Sequence, residues 1–425
     1  MKRLSVTILA ATLLCSACQR TPETPATTTP PKAVDVSAQL HVSDWPLPIT
    51  GGATAPDLHL APDGRLLLSW ISTQPGRRDA VQYAAYDSTH WQSAPKTIAV
   101  GTALFTNWAD TPHIMATPDG ALWVHWLQKS TDAQYAYDIV MSTSRDDGMH
   151  WSAPFSPHDD GTASEHGFVS MWPAAHDTLG LAWLDGRNTT ATDPGKEHEG
   201  HGGGAMTLRA ATYDPRMQRG NDTELDAMTC DCCQTDVAMT TQGPLLVYRG
   251  RDHGEIRDIL VTRFDGKAWT PAHKVHDDQW KMSACPVNGP AVAARDDSAV
   301  VAWYTEVGEQ PSLKLARSAD AGATFAAPIE IDHGAAVMGR VDVAFDGRQV
   351  VLAWLREDAS GQSLQLARYT PDLSKQLQKL EVAKLQGRGR ATGFPKLALR
   401  EGIAHLVWTD IVDGRPQLHG AVLAR

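Results

Sequence analysis

The 425-residue sequence has no excess of positive charge, no apolar run long enough to cross a membrane as a helix, and no segment with a helical period. Its 49 acidic side chains outnumber 38 basic ones, for a formal net charge of -11. That balance argues against nucleic acid or an anionic membrane surface as a main partner. The apolar run Leu4 to Leu14 falls well short of the ~20 residues a spanning helix needs. Phenylalanine is scarce, 7 residues against 14 tryptophans, while 34 glycines and 26 prolines supply turns. Such a mixture favours many short strands over a helical bundle. An apolar content of 42% and a charged content of 20% exclude disorder for most of the chain. The length exceeds what one hydrophobic core supports, which leaves several domains or a repeat architecture.

What is present begins with an address. Met1-Lys2-Arg3, the run Leu4 to Leu14 and then Cys15-Ser16-Ala17-Cys18 have the layout of a secretory signal. The small residues before Cys18 are similar to the bacterial lipoprotein signal, in which that cysteine is lipidated. The resemblance implies a signal peptide over 1–17, with the outer membrane as the anchored partner, since Gln19 rather than Asp follows the cysteine. Residues 18–36 are rich in Thr and Pro and read as an extended tether. A folded body over 37–425 would then sit in the cell envelope.

That body repeats one unit. An apolar run closing on an aromatic recurs at Trp70, Trp126, Trp183, Tyr248, Trp303, Trp354 and Trp408, at spacings of 56, 57, 65, 55, 51 and 54 residues. A short alternating strand precedes each aromatic, as in Pro56-Asp-Leu-His-Leu and Thr235-Asp-Val-Ala-Met. Turn signals such as Pro62-Asp63-Gly64 separate the two. Third and fourth strands follow in most copies. Four strands per unit of about 55 residues, without helices, predict an all-β fold, a β-propeller of four-stranded antiparallel blades. The count is seven blades; a six-bladed ring is the alternative. The last unit ends after its third strand, so residues 38–48 are expected to supply its fourth and close the ring.

Two turns between third and fourth strands carry a motif. Ser144-Arg-Asp146-Asp-Gly148-Met-His-Trp151 and Ser318-Ala-Asp320-Ala-Gly322-Ala-Thr-Phe325 match the Ser-x-Asp-x-Gly-x-Thr-Trp Asp-box, and Arg263 to Trp269 is a degenerate copy. On these residues the chain resembles the sialidase and BNR-repeat superfamily of propellers. The resemblance implies a structural role for the boxes, on the face opposite the active site. It also implies a Tyr–Glu nucleophile pair, an Asp acid/base and three carboxylate-binding arginines, one within a Phe/Tyr-Arg-Ile-Pro motif. The matching stretch here, Asp44-Trp-Pro-Leu-Pro-Ile-Thr-Gly-Gly, has no arginine.

The thiols are the sharper chemical signal. Cys230, Cys232, Cys233 and Cys285 remain after processing. In an oxidising compartment they can pair as disulfides in three connectivities, act as a redox dithiol, or bind copper or zinc. Counting 14 residues back from Tyr248 and Trp303 places both groups just before the inner strands of blades 4 and 5, as neighbours at the channel mouth. The long loop after Trp183 emerges on the same face and brings His198, His201 and Met206. Trp108, Asp110, His166, Arg249, Arg251, Asp252, Glu255, Arg257, Asp258, Asn288 and Arg340 are expected to line a polar pocket there. Asp185-Gly-Arg187 reads as turn chemistry. These features point to a lipid-anchored propeller that binds a small molecule, glycan, protein or metal through its thiol-bearing face. An exo-sialidase or other glycoside hydrolase is the alternative.

Overall fold

A computed structural model describes residues 38–73, 76, 78–133, 135–189 and 204–425. The signal, Cys18, His198 and His201 lie outside the described residues. In the first repeat, Gly52–Leu60, Leu66–Thr73, Asp79–Tyr86 and Lys96–Gly101 pair in sequence order, antiparallel throughout. The turn between the first two strands closes as its residues dictate. Gly64 donates its N–H to the Ala61 carbonyl at 2.9 Å, and Asp63 accepts from the Arg65 amide at 3.0 Å. The second strand is buried from Leu66 to Ile71 on both faces. That continuous apolar run fits a strand sandwiched between two neighbouring sheets.

Among the described residues the strands form seven antiparallel sheets, six of them four-stranded, and the fold is an all-β, seven-bladed propeller. The six-bladed alternative is thereby excluded. His41–Asp44 pairs with Arg415–Ala424, so the first residues of the body complete the last blade. Blade 2 departs from expectation. Its sheet has three strands, Ile114–Ala116, Leu122–Lys129 and Tyr137–Ser144. The expected fourth shrinks to Phe155, which exchanges two backbone hydrogen bonds with Met141. Pro154 and Pro157 flank it, and a residue without an N–H cannot extend a ladder.

The core is divided among the blade-to-blade contacts. Seven apolar clusters each span two adjacent blades, and each holds one of the repeating aromatics. Trp70, Trp183, Tyr248, Trp303 and Trp354 are all but fully buried. The periodic aromatic is therefore the wedge between neighbours, which is why it recurs once per blade.

The Asp-box turns close on themselves. Ser144 donates to Asp146 at 2.9 Å, and Asp146 accepts the His150 amide at 2.9 Å. Ser318, Asp320 and Thr324 repeat the pattern. Gly148 has φ +74, and a Cβ there would sit 1.7 Å from the Tyr83 hydroxyl of blade 1. Trp151 meets the same tyrosine edge-on at 5.8 Å, and Phe325 packs against the cluster between blades 4 and 5.

Candidate functional site

The inner strands surround a channel of about 230 Å³. Its carboxylates do structural work first. Asp57, Asp110, Asp236 and Asp342 each accept the backbone N–H of the next blade, at Ile114, Phe168, Val292 and Leu397, over 2.7–3.2 Å. Asn288 does the same for Arg340 at 2.7 Å. Asp110 and Asn288, expected in the pocket, are thus latches between blades. Burial, with Glu165 close by, pushes the Asp110 carboxyl up to about 8; burial and Asp342 push Asp236 to about 7.

Trp108 and Arg340 come together as expected, but as packing. The Arg340 guanidinium lies 4.6 Å above the Trp108 ring, and Phe394 stacks on that ring at 5.9 Å. Arg340 spends its donors on the Gly389 and Gly393 carbonyls and on Thr392. Two more expected pocket residues are spoken for. Asp252 accepts the Gly254 and Ile256 amides within its own turn. Asp258 accepts the Gln279 and Trp280 amides and the Lys274 ammonium group.

The thiols converge as the blade arithmetic requires. Cys230, Cys232 and Cys233 precede the inner strand Asp236–Thr240, and Cys285 precedes Ala291–Arg295. The Cys230 sulfur is 3.1 Å from that of Cys233 and 4.0 Å from that of Cys232. Cys230, Cys232 and Cys233 place their sulfurs within 4.8 Å of one another; Cys285 lies outside that trio but is near enough to help raise the Cys232 pKa. No disulfide links any of the four. Met206 is buried, and its carbonyl accepts the Thr229 amide at 2.9 Å, beside Cys230.

Arginines frame this cluster. Arg249 is buried and donates to the Asn288, Arg257 and Tyr304 carbonyls at 2.6–2.8 Å, stapling blade 4 to blade 5. Arg251 reaches Asp231, the residue between the first two cysteines, and also Glu255 at 2.8 Å. Glu255 in turn holds Arg257 at 2.8 Å. One terminal nitrogen of Arg257, Nη1, is buried with no hydrogen-bond partner. Burial opposes ionisation of Cys230. Hydrogen bonds from Cys232 and Cys233, with the positive fields of Arg257 and Arg249, outweigh it and hold this thiol well below its ordinary pKa. Cys232 and Cys233 are pushed the other way. Within the cluster Cys230 is therefore the thiol most readily ionised, in an electropositive setting.

His166 joins a different group. Its contacts are Asp138, Asp160, Asp185 and His158, from blades 2 and 3. Asp185 is not mere turn chemistry: it is fully buried and accepts from Trp183, Arg187 and the Arg187 amide. Sequence reading missed Asp138, His158 and Asp160, and also a buried Tyr137–Glu165 hydrogen bond. The one signal for them was the strand-poor stretch 145–165, whose His158-Asp159-Asp160 interrupts an expected fourth strand.

No family model matches the chain, and no curated protein does. Solved structures do. The polysaccharide lyase Uly1 superposes with TM-score 0.52 at 8% identity, over 87% of this chain and 89% of that one. An α-L-arabinofuranosidase from Fusarium graminearum, bound to an iminosugar inhibitor, gives 0.47 at 12% identity over 91% and 97%. A Trypanosoma rangeli sialidase gives 0.46 at 10% identity, over 90% of this chain and 59% of that one. At such identities the likeness is one of chain path alone. Fold and site define a seven-bladed propeller with a cluster of four thiols on one face.

Proposed function

We propose that this protein is a lipid-anchored propeller of the cell envelope that captures a thiophilic metal ion, copper(I) or zinc(II), with Cys230, Cys232, Cys233 and Cys285. The observation that carries the reading is the convergence of three thiols, Cys230, Cys232 and Cys233, beside two buried arginines, with Cys285 of the next blade close to Cys232. Tetrahedral sulfurs at a Zn–S length of about 2.3 Å lie about 3.8 Å apart; the 3.1 and 4.0 Å separations bracket that value. Three thiolates around copper(I), or four around zinc(II), carry two surplus negative charges. Arg249 and Arg257 supply two positive ones, and the unpartnered Arg257 nitrogen is a donor placed for a metal-bound thiolate. The opening segment and Cys18 support the anchored, exported part of the reading.

Protein purified from the envelope should carry close to one copper or zinc per chain by elemental analysis. A Cys230→Ser/Cys232→Ser variant should lose it. Metal-free protein whose four thiols are all found in disulfides by mass spectrometry would sink the idea.

A glycan-acting hydrolase is the rival, and the Tyr137–Glu165 pair is what favours it. Two observations rank it second. Burial and the adjacent Glu165 drive the Tyr137 hydroxyl far above the pKa of a usable nucleophile. Arg249, Arg251 and Arg340 are also committed to carbonyls and to Asp231 or Glu255 rather than open to a sugar carboxylate.

A further inference from the structure

We propose that Asp138, His158 and His166 form a second metal site, for a borderline divalent ion of the zinc class, where blade 2 meets blade 3. It shares no residue with the thiol cluster and does not depend on it.

His166 opens the inner strand of blade 3, His166–Pro173, and is fully buried. Its Nε2 lies 3.0 Å from Asp160 Oδ2. His158, nearly as buried, places Nδ1 3.3 Å from the same oxygen. Asp160 is fixed in turn by the Thr162 amide and hydroxyl and lies 3.5 Å from Arg187. A carboxylate can only accept, so each imidazole directs an N–H at Asp160, and in the neutral ring the other nitrogen is then a lone pair.

Those other nitrogens, His166 Nδ1 and His158 Nε2, are buried and have no hydrogen-bond partner. Both face one atom: Asp138 Oδ1, at 3.7 Å and 3.9 Å. The three ligand atoms lie within 4.8 Å of one another. Two lone pairs and a carboxylate oxygen converge with nothing positive among them, which is costly in a buried setting. An ion at the centre supplies the missing charge. Ligands about 2.1 Å from zinc stand about 3.4 Å apart in a tetrahedron, so the cage needs to contract only slightly. Asp160 then plays the outer-shell carboxylate that orients metal-binding histidines. Asp138, Asp160 and Asp185 against Arg187 leave two negative charges, matching a divalent ion. The Asp138 side chain is 34% exposed, which opens a path to solvent.

One feature demands movement. The rings are stacked, with centroids 3.8 Å apart and 6° between planes. An ion in the plane of both rings requires them to splay. His158 sits outside any strand, so it is the ring that swings while the strand holds His166.

Cobalt(II) titration of the full-length, chelator-stripped, thiol-reduced chain tests this. Thiolate-bound cobalt shows intense near-ultraviolet charge transfer; nitrogen- and oxygen-bound cobalt shows only weaker visible bands. The native chain should take up a second equivalent without charge-transfer absorbance. A His158→Gln/Asp138→Asn variant should lose that step alone, and Asp160→Asn should weaken it about 10- to 100-fold. Should the double variant fail to fold, as judged by its metal-free thermal unfolding, His158→Gln alone makes the same comparison. Native protein with no thiolate-free step, or a step unchanged by His158→Gln, overturns the proposal. A missing charge-transfer step with the second step intact would overturn only the thiol reading.

Discussion

On one face of the ring, the Asp-box turns serve their own backbone: Ser144, Asp146 and Gly148 satisfy one another, as do Ser318, Asp320 and Gly322, although Trp151 Nε1 and Arg263 Nε are buried there without a hydrogen-bond partner. On the other face, loops of the same repeat bury Arg257 Nη1, His158 Nε2 and His166 Nδ1 without hydrogen-bond partners and crowd four thiols together. Both sets are polar, local and strand-terminal. The difference is convergence: on the second face His158 Nε2 and His166 Nδ1 both aim at Asp138 Oδ1, and a ligand between them is the economical completion.

The most damaging way to probe the contrast is on the satisfied face. Gly148→Val places a branched side chain at φ +74 on top of the Tyr83 hydroxyl. It should cost about 3 kcal/mol in chemical denaturation, from backbone strain plus overpacking. Metal content per folded chain should not change. If the metal were lost as well, the two faces would not be independent.

A smaller effect belongs to the thiol face. Cys230 is ionised partly through Arg257. Arg257→Met keeps much of the packing and removes the charge. The pH midpoint for alkylation of Cys230 in metal-free protein should rise by about one unit. An unmoved midpoint would show that Arg257 does not act on the thiolate.

The contrast also explains what the sequence disclosed. The fold was legible because each of seven blades needs one large aromatic at the same place, so a physical necessity printed itself as a period. The thiols were legible by the same ruler, since counting back from Tyr248 and Trp303 put Cys230 and Cys285 at the entries of adjacent inner strands despite 54 intervening residues. Asp138, His158, His166 and Asp185 had no such ruler. They come from a third strand, an irregular connection, an inner strand and a second strand, and only the superposition of two blades joins them. The expected polar pocket took another form: Asp110 lines the channel, but as a latch between blades. Asp110 and Asn288 sit where polar residues gather, but propeller inner strands lie too far apart to share backbone bonds directly, and these side chains bridge the gap.

Asp110 offers the finest cut, because it belongs to the satisfied group by one oxygen only. Its Oδ2 accepts the Phe168 amide, whereas its buried Oδ1 has no partner. Burial raises its pKa to about 8, so the folded chain holds a proton there that the unfolded chain has released. Between the ordinary carboxylate pKa of about 4 and this value, the native state binds more protons, and stability falls as pH rises. Asp57 has the opposite sign. Burial alone would raise it, but His113 and Lys396 hold it below its ordinary range, so its contribution is present at neutral pH and lost only in acid. Asp110→Asn retains an acceptor for Phe168 and has no proton to gain. Its thermal midpoint should therefore decline less than the native one from pH 4 to pH 8, with the curves parallel below pH 4. Equal slopes across that window would mean that Asp110 is ionised in the fold, its second oxygen served by a cation or a water in the channel, and would move it from the satisfied group to the ligand-seeking one.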